Sequence, residues 1–273
     1  AALRRRRGVG ARSSAQLLSR AMRIVSLCPS LTELVFDLGR GADLVGVTNY
    51  CVHPRGKVEA LERIGGTKDP KIARIVALRP DVVLINEEEN RRVDFEALSA
   101  ARVRCHNTFP KSAWDTAAMV RAIGLELQCD DAAERIARDI ELRADRVLCS
   151  SAGKREVTWA YLIWRKPYMT VNRDTFADAL LSLAGGRNVF AELATRYAEI
   201  TAQELAAAAP ERVFLCTEPF PFEAAHADEL ARETKLPRAS FVIADGEYLS
   251  WHGSRTPAGI DYAESLLGAA RGG

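Results

Sequence analysis

The chain has 273 residues, 48% hydrophobic and 27% charged, which suits one large or two medium-sized globular domains, and no apolar run is long enough to cross a membrane. Six of its 38 Lys and Arg residues lie in the first 21 positions, which leaves 32 basic residues against 36 acidic ones in the rest of the chain. This net charge of −4 over residues 22–273 argues against a nucleic-acid-binding protein.

The segment 1–21 contains six Arg and no acidic residue. We predict a disordered basic extension here and a natural start at Met22, because the segment lacks the apolar core of a secretory signal. The six cysteines are scattered and form no CxxC pair, which predicts reduced thiols rather than a disulfide framework or a zinc cluster. These features predict a cytoplasmic location, with the periplasm as the alternative.

Strand and helix patterns alternate from Met22 onward, which predicts an α/β fold with largely parallel sheets. RIVSL at 23–27 is typical of a buried strand. Ser30 and Glu33 then form an S-x-x-E capping box, which predicts the start of a helix that ends at Gly39. The other elements predicted in this half are a strand at 44–48, a helix at 71–80, a strand at 82–86, a helix at 93–101, a strand at 103–106 and a helix at 112–123.

Residues 130–149 form the longest helical pattern, about 30 Å if unbroken, which suits a strut between two lobes. Its apolar residues on or near one stripe are Ala133, Ile136, Ile140, Leu142, Val147 and Leu148. The alternation then resumes with a strand at 156–164, and the helix-Pro-strand unit of 71–85 recurs at 201–215. We therefore predict two Rossmann-like lobes joined by one long helix. The predicted boundaries are 22–128 for the N-terminal lobe, 129–152 for the linking helix and 153–273 for the C-terminal lobe.

Several segments together resemble one known family. They are CPSLTELVFDLG (28–39), LVGVTNYCVHP (44–54), GGTKDP (65–70), ALRPDVVLI (77–85) and TVNRDTFADALLSLAGGRNVF (170–190). In order and spacing they are similar to the ABC-importer substrate-binding proteins with a single backbone helix, the helical backbone metal receptors, and especially to their cobalamin-binding branch. The resemblance implies a bilobal fold with limited hinge motion, no catalysis, and cobalamin or a related corrinoid held between the lobes.

In doubly wound sheets, ligands meet the loops at the carboxyl ends of strands. This rule selects the loops at 28–30, at Tyr50, at 86–90 and at 164–168, and the resemblance adds aromatic ligand contacts farther along the chain. A broad, flat corrin ring needs aromatic faces for contact area and a few polar groups for orientation. The predicted ligand-binding residues are Tyr50, Asn86, Glu87, Glu88, Trp164, Tyr168, Tyr197, Tyr248, Trp251 and Arg255.

Some of these residues also have plainer interpretations. Tyr50 and Tyr197 could be ordinary half-buried aromatics, and the acidic run 87–89 could favour a helix N-terminus through the helix dipole. Strand alternation places Tyr161 and Trp164 on opposite faces, so one of the two belongs to the core.

Histidines support an alternative function. His252 and His53 are candidate metal ligands, since neutral imidazole can coordinate a corrin cobalt or a bare metal ion. Together with His106, His226 and the acidic run 87–89, they favour a receptor of the same fold for a metal ion or for an iron chelate such as a siderophore or haem. The third class, an enzyme, lacks support because the chain has no G-x-S-x-G, Walker A or H-E-x-x-H motif.

The resemblance also implies a membrane partner. In the importer-bound relatives, a surface Glu on each lobe pairs with Arg residues of the ABC permease. At the matching positions this chain has Ala73 and Gln203. The docking carboxylates are therefore replaced, which favours an intracellular corrinoid carrier. We expect a monomer that binds a small molecule and neither binds nucleic acid nor inserts into a membrane.

Overall fold

Two β-sheets, one from each half of the chain, organise the protein in a computed structural model that describes residues 22–272. The extension predicted at 1–21 lies outside the described residues. The strands are β1 (Ile24–Ser26), β2 (Leu44–Val47), β3 (Val82–Asn86), β4 (Cys105–Thr108), β5 (Val157–Trp164), β6 (Tyr168–Val171), β7 (Gly186–Asn188), β8 (Tyr197–Ile200), β9 (Arg212–Cys216) and β10 (Phe241–Ala244). The helices are α1 (Pro29–Asp37), α2 (Ile72–Ala77), α3 (Arg92–Ala100), α4 (Ala113–Leu127), α5 (Asp130–Ser151), α6 (Phe176–Leu183), α7 (Ala202–Ala208), α8 (Ala224–Thr234), α9 (Gly246–Ser250) and α10 (Thr256–Gly272).

The first sheet has the strand order β2-β1-β3-β4, and all its pairings are parallel. Every residue of β1 and β3 is buried, as expected for parallel strands that helices cover on both faces. Ile24 and Leu84 belong to one hydrophobic cluster, whereas Val25 and Ile85 belong to another. Successive side chains of β1 and β3 point to opposite faces of the sheet and therefore pack into two different hydrophobic clusters.

The second sheet is mixed. Its order is β10-β9-β5-β6-β8, with β7 beside the first half of β5. The pairings of β5 with β7 and β9, and of β9 with β10, are parallel, whereas β6 pairs antiparallel with both β5 and β8. The predicted α/β class with largely parallel sheets is therefore confirmed.

The start of α1 differs from the prediction. The helix begins at Pro29, and its N-cap residue Cys28 makes no side-chain cap bond. Proline suits the first helical position because its φ is already helical and it has no N–H to satisfy. Ser30 consequently lies inside the first turn, and the predicted capping box with Glu33 does not form. The Glu33 carboxylate instead pairs with Arg255.

The long helix predicted at 130–149 is confirmed by α5, which joins the two sheet-forming halves and packs against α4 and α10. Its buried residues recur at spacings of three and four, as expected for a helix that packs along one stripe. They are Ala133, Ala137, Ile140, Ala144 and Val147. Leu142 and Leu148, predicted to lie near this stripe, are exposed. The lobe boundaries predicted at 128/129 and 152/153 stay a prediction.

Gly124 sets the distance between α4 and α5. A Cβ atom added at Gly124 would lie 2.2 Å from the Cβ of Ala133, so the helices would have to separate. We expect Gly124→Ala to lower the free energy of unfolding by about 1–2 kcal/mol, because overpacking outweighs the gain in helix propensity. The midpoint of urea unfolding measures this change.

Gly268→Ala is the matched control for this substitution. Gly268 lies in α10, and a Cβ there meets nothing within 4 Å. The control should raise the free energy of unfolding by about 0.5–1 kcal/mol through helix propensity alone. Equal effects of the two substitutions would show that α4 and α5 are not tightly packed at Gly124.

Candidate functional site

A cleft of about 400 Å³ lies between the two halves and is lined by both. Its lining residues are Cys28, Pro29, Ser30, Tyr50, Thr67 and Glu89 from the first half, with Glu218, Pro219, Ser250, Trp251 and His252 from the second. A smaller recess of about 60 Å³ shares Glu89, Ser250 and His252 with the cleft and extends it toward Tyr197. The loops after β1, β2, β3 and β9 all reach the cleft, as the strand-end rule requires.

Asn86 and His252 connect the two halves at the recess, and His252 also lines the cleft. Both are buried, and Nδ2 of Asn86 lies 3.2 Å from Nε2 of His252. The Oδ1 atom of Asn86 accepts the backbone N–H groups of Glu88 and Glu89, so its amino group faces the imidazole. Nε2 of His252 therefore accepts, and the ring proton is on Nδ1. Burial lowers the pKa of His252 to about 4, so the ring is neutral at pH 7.

Trp251 organises the charged groups of the second half. Its Nε1–H donates to Oε2 of Glu218 at 2.9 Å. The guanidinium of Arg255 lies 4.9 Å from the Trp251 ring centroid, a cation–π geometry. The guanidinium bonds both carboxylate oxygens of Glu33 in α1, at 2.5 and 3.0 Å, and its Nη1 lies 2.7 Å from Glu247. Arg255 thus links the first half of the chain to the second.

The carboxyl groups of the cleft have perturbed acidities. Burial, followed by the charge of Glu247, raises the pKa of Glu218 from 4.5 to about 7. Burial also raises the pKa values of Glu88 and Glu89. The Cys28 thiol stays protonated, because burial raises its pKa to about 12. The walls consequently combine neutral hydrogen-bonding groups with partly buried carboxyls.

Glu218 should make the stability of the protein depend on pH. Its pKa is raised in the folded state, so the folded protein binds more protons than the unfolded chain between about pH 4.5 and 7, and stability falls as the pH rises through this window. We expect Glu218→Gln to equal the wild type at pH 4 and to exceed its unfolding free energy by about 2 kcal/mol at pH 8, allowing for solvent screening. Urea titrations at both pH values measure the difference.

Glu264→Gln is a control for which we expect the opposite change in the free energy of unfolding. A hydrogen bond from Arg146 lowers the pKa of Glu264, so this variant should lose stability relative to the wild type above about pH 4.5. The burial argument for Glu218 is wrong if Glu218→Gln and Glu264→Gln shift stability in the same direction at pH 8.

Exposed aromatic side chains lie at the cleft, at the recess and at the end of β5. Tyr50, from the first half, lines the main cleft and is 62% exposed. Tyr197, from the second half, lines the recess, is 38% exposed, and donates its hydroxyl to Glu88. Trp164 is 40% exposed at the end of β5 and packs edge-on against Phe220, 5.8 Å away.

A family model described as periplasmic binding protein matches residues 24–246. The chain belongs to the periplasmic binding protein family. The vitamin B12-binding protein of Vibrio cholerae serotype O1 is 24% identical over 194 residues, which cover 71% of this chain and 70% of that protein.

Two solved structures match this periplasmic binding protein along most of its length. The periplasmic vitamin B12 binding protein BtuF of Vibrio cholerae superimposes with a TM-score of 0.81 at 22% identity, covering 92% of this chain and 98% of that one. The apo periplasmic haem-binding protein RhuT of Roseiflexus sp. RS-1 gives a TM-score of 0.78 at 23% identity, covering 92% and 99%. The shared fold confirms two lobes joined by a backbone helix.

The family corrects one prediction and confirms another. The predicted cytoplasmic location is wrong, because the homologues are periplasmic binding proteins. The prediction relied on the absence of a disulfide pattern, and all six cysteines are indeed unpaired. Unpaired cysteines do not identify the compartment, because a disulfide forms only where two cysteines lie close in space. The predicted lack of enzymatic activity is confirmed, since the family consists of ligand carriers. No helix in the described part of this periplasmic binding protein is long and apolar enough to cross a membrane.

Only some of the predicted ligand-binding residues of this periplasmic binding protein line the cleft or the recess. Tyr50 and Trp251 line the cleft, and Asn86, Glu88 and Tyr197 line the recess. Glu87, Trp164, Tyr168, Tyr248 and Arg255 lie outside both linings. Glu87 accepts a bond from Asn107 and lines a separate cavity, Tyr168 donates to Glu233, and Tyr248 stacks at a tilt on Tyr262.

The candidate metal ligands have separate surroundings. His252 bonds Asn86, whereas His53 lies 3.2 Å from Glu247 and edge-on to Trp251. Within residues 22–272, no three His, Cys, Asp or Glu side chains are grouped so that they could hold a metal ion.

Glu89 and Glu218 are cleft residues that were absent from the predicted set. Glu89 belongs to the acidic run 87–89, from which only the first two residues were chosen. Glu218 follows β9, and the same strand-end rule would have identified its loop.

Proposed function

We propose that this periplasmic binding protein holds cobalamin or a related corrinoid in the cleft between its lobes, as a carrier of the ABC-importer type. The observation that carries the proposal is the pair of exposed tyrosines on the two lobes, Tyr50 at the cleft and Tyr197 at the recess. Exposed aromatic rings on both walls suit a broad, flat ligand that contacts both lobes. The curated relative named as a vitamin B12-binding protein supports the same ligand class.

The polar groups of the walls also suit a corrinoid. Ser30, Thr67 and Ser250 offer hydroxyl groups, and His252 is neutral at pH 7. Amides on a corrin edge both donate and accept hydrogen bonds, so hydroxyl groups and a neutral imidazole can orient them without burying an unpaired charge.

Titration with cyanocobalamin tests this function. We expect saturable binding with a dissociation constant of about 1 μM or tighter, seen as a shifted visible spectrum and as heat in calorimetry. Hemin is titrated in parallel, because haem-binding proteins share the fold. No cyanocobalamin binding at about 50 μM, or clearly tighter hemin binding, would reject the proposal.

The two surface Glu residues through which importer-bound family members are expected to contact an ABC permease are replaced in this chain. Ala73 in α2 and Gln203 in α7 are both exposed and uncharged. The neighbouring Glu204 carboxylate caps its own helix through Thr201. We propose that an ABC permease, if it receives the ligand, recognises surfaces other than a carboxylate at these two positions.

A further inference from the structure

Two carboxyl groups face the cleft from opposite lobes. Glu89 comes from the loop after β3 and Glu218 from the loop after β9. Among the described residues that line the cleft and the recess, none is Lys or Arg. The charge that a ligand meets on these walls is therefore acidic.

Three cations adjacent to lining residues already have partners: Lys68 follows Thr67, Arg196 precedes Tyr197, and Arg255 contacts Trp251. The pairs are Lys68 with the main-chain carbonyl of Glu88 at 2.5 Å, Arg196 with Glu88 at 3.2 Å and Asp174 at 3.4 Å, and Arg255 with Glu33 and Glu247. A ligand carboxylate would have to break one of these pairs to gain a positive partner. At Arg196 and Arg255, such an exchange gives up one ion pair for another. Lys68 bonds a neutral carbonyl, but its positive charge already acts on the Glu88 and Glu89 carboxylates.

The Glu218 carboxyl group is held in place by a hydrogen bond. Its Oε2 accepts the indole N–H of Trp251 at 2.9 Å, which fixes the carboxyl group at the cleft wall. The charges that act on it, from Glu247, Glu89 and Asp245, are all negative. A carboxyl group in this setting accepts further N–H donors and repels another carboxylate.

We propose that Glu89 and Glu218 determine ligand specificity by admitting tetrapyrrole-like rings with neutral amide edges and rejecting rings with carboxylate edges. The inference rests on the proposed function, because it concerns the ligand of the same cleft. The shared fold does not distinguish a corrin, whose edge carries amides, from haem, whose edge carries two propionates. In this proposal the charges of Glu89 and Glu218 make that distinction.

The test compares cyanocobalamin with its separated monocarboxylic acids, in each of which one peripheral amide is hydrolysed to a carboxylate. Calorimetry at pH 8 gives the penalty for each acid as its dissociation constant divided by that of cyanocobalamin. We expect at least one acid to bind the wild type about tenfold or more weakly. Glu218→Gln or Glu89→Gln should reduce that penalty at least threefold, while cyanocobalamin still binds.

Glu156→Gln is the matched control. Glu156 is exposed, precedes β5 at the end of the strand away from the cleft, and pairs with Arg187. The Glu156→Gln substitution removes one negative charge, as the two test substitutions do, and should leave the penalty for each monocarboxylic acid unchanged. Circular dichroism verifies folding, and Gln at position 218 can still accept the Trp251 N–H.

The outcomes separate the two proposals. If cyanocobalamin binds but no acid shows a penalty, or if the Gln variants keep the wild-type penalties, the specificity inference is overturned and the proposed function stands. If Glu156→Gln lowers the penalties equally, general charge rather than these two groups is responsible, and the inference also fails. If the wild type does not bind cyanocobalamin, the proposed function fails and the inference with it.

Discussion

Replacing Trp251 with alanine is expected to raise the dissociation constant for cyanocobalamin by about a hundredfold. The ring lines the cleft, is 6% exposed, and contacts Glu218, Arg255 and His53. Buried Trp residues at the centre of an interface carry about 2 kcal/mol or more of binding free energy, and this one also orients its neighbours. Isothermal titration calorimetry at pH 7 measures the change.

Two variants control this prediction. Trp251→Phe keeps an aromatic face but loses the donor to Glu218, so its affinity should lie between those of the wild type and the alanine variant. Trp114→Ala removes a tryptophan that is 41% exposed on α4 and hydrogen-bonded to Asp145, outside the linings of the cleft and the recess. It should leave the affinity unchanged. An affinity of folded Trp251→Ala within threefold of the wild type would exclude the indole from the binding surface.

The second large effect is expected from Arg255→Ala, which should lower the free energy of unfolding by about 3 kcal/mol. Arg255 and Glu33 are each less than 20% exposed, and Arg255 also pairs with Glu247. Removing the guanidinium leaves two carboxylates without their cation in a partly buried place, and breaking such a pair from one side is strongly destabilising. Thermal unfolding should shift downward by about 8 °C.

Arg138→Ala provides the comparison for a surface pair. Arg138 is 71% exposed and pairs with Glu134 one turn away on α5. Such pairs contribute less than about 0.5 kcal/mol, so this variant should unfold close to the wild type. Arg255→Lys should recover little stability, because a single ammonium cannot bond both oxygens of Glu33 and reach Glu247 as well. Similar unfolding of the Arg255→Ala and Arg138→Ala variants would show that the lobes do not depend on this link.

Local pattern was sufficient to predict most elements of the fold. The strand predicted at 82–86 is β3 with the same bounds, and the helix predicted at 130–149 differs from α5 by two residues. The helix predicted at 71–80 ends earlier, at Ala77, because Arg79 adopts a left-handed φ of 47° before Pro80, where helical backbone is disfavoured. These differences concern the ends of elements, which depend on single residues.

The candidate site was less predictable, because it depends on contacts between distant segments. Tyr50 was identified because it lies in a loop at a strand end, which leaves a local signal, and Trp251 was identified through the family resemblance. The bond between Arg255 and Glu33 joins residues 222 positions apart, and periodicity carries no information at that range. The sequence therefore predicted Arg255 as a ligand contact, whereas in the structure its donors bond carboxylates of the protein itself.

The hydrogen bond between Asn86 and His252 has a mechanical consequence. It ties the lobes together at a buried point deeper than the exposed tyrosines. If the lobes tilt about this tether, groups farther from it are displaced more. Opening would then have to break the other bonds between the lobes, from Tyr197 to Glu88 and from Arg255 to Glu33, while the buried amide–imidazole bond could persist. Release of a bound molecule would thus depend on these outer bonds.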